Sequence, residues 1–264
     1  MSEKYAISLD WMQYYCEKSM NEVPATFYTT KGAYEVEKQS YSTNLWLDVY
    51  IIKHRGREFA TLCCNPRNSG MPERGCTLKL ANRVLYSHEW LTESKLIMAE
   101  LGLRYKGITR VDVAYDCNVL AGGRSVPSFL MQYFSHAPYC EGHIIRSGSR
   151  KVTINATRSN KGSVEISAMR WGSKGSDIGA YAYNKSLELR EVKDKPWIRE
   201  TWEKAGLIDS FNEAEWAKLS EREKQRKIEQ GDVQSYIENP VWRFEISIKA
   251  HGKDLLNIDT GELF

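Results

Sequence analysis

Two nine-residue stretches far apart in the chain, Ile108-Thr-Arg-Val-Asp-Val-Ala-Tyr-Asp116 and Val241-Trp-Arg-Phe-Glu-Ile-Ser-Ile-Lys249, follow one alternation. In the first, Val111, Val113 and Tyr115 share a face, opposite Arg110, Asp112, Ala114 and Asp116. In the second, Trp242, Phe244, Ile246 and Ile248 stand opposite Arg243, Glu245, Ser247 and Lys249. Period two is the signature of a strand with one apolar face. Aligned, the runs read R-V-D-V-A and R-F-E-I-S, as expected of two central strands of one sheet with helices on the apolar face and a polar groove on the other. Each acid has a plain reading: Asp116 starts a turn, and Asp112 and Glu245 pair with nearby arginines. On a shared face, however, carboxylates repel unless an arginine or a cation neutralises them, and a divalent ion held by oxygen ligands is an economical answer.

The remaining pattern predicts an α+β fold: an antiparallel central sheet, helices covering one face, and a catalytic groove on the other. Residues 5 to 16 leave strand and helix undecided. Residues 44–52 and 58–63 read as a hairpin about His54-Arg-Gly-Arg57, followed by a turn-rich stretch and a short strand at 76–81. Apolar spacing predicts one helix over 90–101, with Ser87 or Ser94 near its start and Gly102 to end it, and another over 127–134 behind Pro127. Residues 163–171 form a further strand. From 188 to 231 the chain is charged and helical in character, and Ser210 with Glu213 has capping-box spacing ahead of a solvated helix over 214–229.

The chain of 264 residues is long enough for one large domain or two small lobes, and no apolar run reaches the length of a membrane span. The first residues lack the order of a signal peptide, so a soluble intracellular protein is expected. Six cysteines without a C-x-x-C pair read as reduced thiols. The net charge of +3 identifies no partner by itself, but Arg146, Arg150, Lys151, Arg158 and Lys161 fall in one stretch without an acid. That composition suits phosphates, or simply a solvated basic face.

In Tyr181-Ala-Tyr-Asn-Lys-Ser-Leu-Glu188 a strand-like run passes into a helix-like run near Ser186. Tyr181, Tyr183 and Lys185 share one face; Ala180 and Ala182 share the other, where small side chains let a neighbouring element approach. These are ordinary strand tyrosines, or Tyr183 is a nucleophile with Tyr181 as its rival.

With these residues together, the chain resembles the rolling-circle replication initiators of plasmids and phages, the replication initiation factor (Rep_trans) family. The resemblance rests on Arg110-Val-Asp112 with Asp116, on Trp171-Gly-Ser-Lys174 followed by Tyr183-Asn-Lys185 and Glu188, and on Arg243-Phe-Glu245 with Lys249. It implies that Tyr183 nicks one DNA strand and that Mg or Mn is held by Asp112 and Glu245, with Glu188 and Asp116 as further candidates. It also implies that Lys185 and Arg110 contact phosphate or neutralise developing charge. DNA contacts are expected from Arg146, Arg150, Lys151, Arg158, Lys161, Lys174, Arg243 and Lys249. Position 181 is Tyr where family members often carry a basic residue, and Arg170 on the neighbouring strand is placed to replace that phosphate contact.

The implied reaction leaves a 5′-phosphotyrosine link and a free 3′-hydroxyl that primes synthesis. The implied partners are DNA, as an origin hairpin or single strand, a host helicase and polymerase, and a second copy of the chain; no membrane is involved and the setting is cytoplasmic. The absence of a G-x-x-x-x-G-K-[ST] loop leaves unwinding to the helicase. Residues 1–264 are expected to form one nicking and DNA-binding domain, with lobes of about 1–104 and 105–264 as the alternative division. Competing readings are a DNA-binding regulator without chemistry, a nuclease that uses water, and a tyrosine recombinase. The scattered histidines argue against nicking enzymes with an H-x-H metal motif.

Overall fold

The computed structural model describes residues 4–19, 22–135, 139–140, 143–145, 151–158, 164–173, 175–192, 194–208, 213–229 and 240–250. The fold is α+β and built on a large antiparallel sheet, as expected. The chain divides into two compact units, one of Met1–Ser8 with Ala114–Ile246 and the other of Leu9–Val113 with Ser247–Phe264. No helix among the described residues is long and apolar enough to cross a membrane.

The second of these units contains most of β1 (Tyr5–Lys18), then β2 (Thr26–Thr29), β3 (Gly32–Lys38), β4 (Trp46–His54), β5 (Arg57–Pro66), β6 (Gly75–Leu80), helices α1 (Asn82–Leu85) and α2 (Trp90–Glu100), and the first part of β7 (Leu103–Cys117). Its strand order is β7-β1-β6-β5-β4-β3-β2. The undecided stretch at 5–16 is therefore strand. Met12, Tyr14 and Cys16 enter the core, while Trp11 on the other face lies beneath two cations, Lys79 at 3.8 Å and Arg110 at 4.3 Å from its ring. Apolar side chains on both faces had blurred the period. The hairpin between β4 and β5 turns at Arg55 and Gly56, with φ of 52° and 70°; two left-handed residues match the twist of the flanking strands. On the core face, Leu62, Cys64, Leu78 and Leu80 pack with Ile97 and Met98 of α2. That helix ends at Gly102, as expected. Its N-cap residue, Glu89, makes no side-chain cap bond, and Ser94 lies inside the helix, donating to the Trp90 carbonyl at 2.6 Å.

The other unit continues from the end of β7 through β8 (Val119–Leu120), β9 (Arg124–Ser125), α3 (Val126–Ser135), β10 (Tyr139–Cys140), β11 (His143–Ile145), β12 (Lys151–Arg158), β13 (Val164–Trp171) and β14 (Ile178–Asn184). Helices α4 (Lys185–Glu191), α5 (Pro196–Lys204), α6 (Glu213–Lys218) and α7 (Glu221–Glu229) follow, and β15 (Trp242–Lys249) returns to the sheet. The order here is β10-β11-β12-β13-β14-β15-β7. Val126 and Leu130 of α3 cover one face, packing with Met169, Ala182 and Trp242. The opposite face carries Tyr181, Tyr183 and Glu245.

The single helix expected over 214–229 is two helices, α6 and α7. The capping box that starts α7 is Ser220 with Glu223: Glu223 N–H donates to Ser220 Oγ at 3.3 Å and Ser220 N–H to Glu223 Oε2 at 2.9 Å. Ser210 lies outside the described residues.

Candidate active site

The turn Gly172–Ser173 lets β13 fold back onto β14. Gly172 has φ of 92°, and a Cβ there would meet the Ile178 carbonyl oxygen at 3.2 Å, so the turn needs glycine. The register then sets Ala168 opposite Tyr183 and Arg170 opposite Tyr181. After Tyr183 the backbone changes from strand to helix at Asn184, whose side chain accepts from Leu187 N–H at 2.9 Å and so caps α4. The Lys185 and Ser186 amides both donate to the Val241 carbonyl, and the Val241 amide donates to Ser186 Oγ. The start of α4 is thereby tied to the start of β15.

This junction places four side chains together. Tyr183 Oη donates to Glu245 Oε2 at 3.3 Å and accepts from Lys185 Nζ at 3.2 Å. Lys185 is 1% exposed and forms an ion pair with Glu188 at 2.5 Å, a burial that an ammonium tolerates only when paired. Lys195 reaches the other oxygen of Glu188 at 3.8 Å. The arrangement lines an open groove of about 530 Å³ with Asn155, Tyr181, Tyr183, Glu188, Glu191 and Glu245 on its walls. The Tyr181 ring stacks on that of Tyr183 with centroids 4.7 Å apart. Burial pushes the Tyr181 phenol above its ordinary value; Arg170 opposes the shift, while Glu188 and Glu245 add to it.

Among the residues expected from sequence, Tyr183, Lys185, Glu188 and Glu245 come together. Asp116 and Arg243 do not join them and are partnered with each other instead. Arg243 is fully buried and grips Asp116 through Nε and a terminal nitrogen, each at 2.7 Å, while Trp202 of α5 donates its indole N–H to the same carboxylate at 2.7 Å. The polar face at that point is sealed beneath α5. Asp112 and Arg110 belong to the other unit. There Asp112 is 2% exposed and bound by Arg110 at 2.9 Å and 2.5 Å, so an arginine neutralises that acid.

Lys249 is half-buried at the end of β15. Lys151 and Arg158 are the first and last residues of β12. Arg146, Arg150, Lys161 and Lys174 lie outside the described residues. Trp202 was missed by the sequence reading; Ile198 and Trp202, one helical turn apart behind Pro196, were the available signal.

Among the described residues no group of three or more His, Cys, Asp or Glu side chains is disposed to hold a metal. Glu188 and Glu245 are the carboxylates that touch the Tyr183–Lys185 pair, and Glu188 is itself ion-paired with Lys185 and Lys195.

No family model matches the chain, and no curated protein matches it. Among solved structures it is similar to a rolling circle replication initiator protein from Geobacillus stearothermophilus, with a TM-score of 0.47 and 12% identity over 93% of this chain and 74% of the other.

Proposed function

We propose that this chain is a replication initiator that nicks single-stranded DNA through Tyr183. The observation that carries the reading is the position of the Tyr183 hydroxyl, held between the Lys185 ammonium and the Glu245 carboxylate beside an open groove. A phenol with an ordinary pKa near 10 needs help to attack at neutral pH. Glu245 accepts the phenol proton as the Tyr183 oxygen bonds to phosphorus, and Lys185 stabilises the negative charge on that oxygen as the proton leaves. The bond from phosphorus to the 3′ oxygen breaks, and that oxygen takes a proton from water. The products are a 5′-phosphotyrosine and a free 3′-hydroxyl. Attack by such a hydroxyl on the phosphotyrosine reverses the step and rejoins strands without a nucleotide cofactor.

Glu188 and Glu245 are the residues that would hold Mg or Mn, which when bound supplies polarisation of a non-bridging phosphate oxygen. DNA, a helicase and a polymerase are the partners this reading requires.

The test is an adduct assay with single-stranded oligonucleotides tiled across the gene and its flanks, in the presence of Mn. A covalent protein–DNA band that persists in Tyr181→Phe and vanishes in Tyr183→Phe is the expected result. Tight binding with no adduct on any tile would replace nicking by a regulator without chemistry.

A further inference from the structure

The groove beside Tyr183 opens into a second one with different chemistry. This neighbour, of about 620 Å³, shares Tyr181 and Asn155 with the first and continues past Thr153 and Arg170 to Ser173. Its walls contain no carboxylate among the described residues, whereas Glu188, Glu191 and Glu245 line the first. Among the described residues no acid pairs with Arg170. A half-buried guanidinium left without a counter-charge in an open cleft is complementary to an anion.

Strand register explains the arrangement. Tyr183, Ala168 and Asn155 form one cross-strand row on β14, β13 and β12, and Tyr181, Arg170 and Thr153 form the next. Residues two apart on a strand are separated by about 7 Å. A nucleic-acid strand with one phosphate at Tyr183 therefore has Arg170 within reach of an adjacent phosphate. Ala168, opposite Tyr183 and beside Arg170 on β13, contributes only a methyl group to the floor of this path, and Asn155 and Thr153 follow on β12.

We infer that Arg170 and Tyr181, with Thr153 and Asn155 beside them, form a subsite for the backbone phosphate next to the one attacked by Tyr183. The ligand is single-stranded DNA, so the inference rests on the proposed function for the identity of the strand. Arg170 pairs with the phosphate and the Tyr181 hydroxyl donates to it. A phenol of ordinary pKa, near 10, keeps that proton at neutral pH. The two stacked tyrosines thus divide the work: Tyr183 reacts and Tyr181 positions.

The experiment measures binding and adduct formation separately. The oligonucleotide tile that binds best is remade with a single uncharged methylphosphonate at each linkage in turn, and each version is titrated against wild type, Arg170→Ala and Arg170→Lys. In wild type, one linkage beside the nick should weaken binding about tenfold when neutralised, the size expected for losing one charge-assisted hydrogen bond. Arg170→Ala should lose a similar factor on unmodified DNA, lower the salt slope by about 0.7, and show no further loss at that linkage. Arg170→Lys should recover part of the affinity. Additive losses at every linkage would overturn the subsite even if the Tyr183 adduct forms. A non-additive linkage without any adduct would leave the subsite standing and remove the nicking reaction. Failure of wild type to bind any tile would end both.

Discussion

Arg243 and Asp116, 127 residues apart in sequence, meet as a two-point ion pair whose side chains are 0% and 1% exposed. Trp202 adds a third donor to the same carboxylate. Removing one member of such a pair leaves the other charged and dry, which costs about 3–5 kcal/mol. Asp116→Ala should therefore lower unfolding free energy by about that amount in urea titrations. A loss below about 1 kcal/mol would mean that the pair does not anchor β7, β15 and α5.

Lys185 and Glu245 make different contributions to one hydroxyl, and their variants should differ accordingly. Lys185→Met removes a donor to the tyrosine oxygen and should slow adduct formation by about 10²–10³. On the proposed reaction Glu245→Gln removes the proton acceptor and should slow it by about 10²–10⁴. DNA affinity should change far less than rate in both. Quenched-flow adduct formation beside equilibrium titration separates the two effects, and equal loss of affinity and rate would relocate these residues to substrate binding.

Asn184 ends the tyrosine strand and begins α4 with its own side chain. Substitution of such a cap by alanine costs about 1 kcal/mol. Asn184→Ala should speed amide hydrogen exchange in α4, leave that in α2 unchanged, and reduce the adduct rate because Lys185 and Glu188 ride on the first turn. Unchanged exchange in α4 would show that the ties to Val241 alone hold the helix start.

Several buried thiols make stability sensitive to alkali. Burial pushes Cys64 up to about 11, and Cys76 and Cys117 up to about 12, from an ordinary value of 9.0. The folded state thus keeps protons that the unfolded chain releases. This contribution is complete below about pH 9 and is lost progressively as the pH rises toward those folded values. Urea midpoints should fall between pH 8 and pH 10.5, and Cys76→Ala with Cys117→Ala should flatten the decline. A slope unchanged in the double variant would assign it to other groups.

The strand grammar of R-V-D-V-A and R-F-E-I-S was readable because alternation is local, and so was the succession from tyrosine strand to capped helix. Residues 5–16 were not readable, because Trp11 is apolar yet sits on the outer face beneath Lys79 and Arg110. The break between α6 and α7 was likewise carried by a short-range signal, Ser220 with Glu223, that competed with the equally spaced Ser210 with Glu213.

Sequence alone determined which residues can occupy a polar strand face, since side-chain direction follows from the two-residue period. It also determined the residue types near Tyr183, because Lys185 and Glu188 follow within one helical turn. Only the tertiary structure decided how Asp116 and Glu245 are partnered. Asp116 and Glu245 look alike in their strands, but α5 lowers Trp202 onto Asp116 and closes it with Arg243, whereas Glu245 faces the groove and the Tyr183 hydroxyl. A carboxylate's partner is set by what packs over it, and that depends on long-range burial that no local pattern encodes.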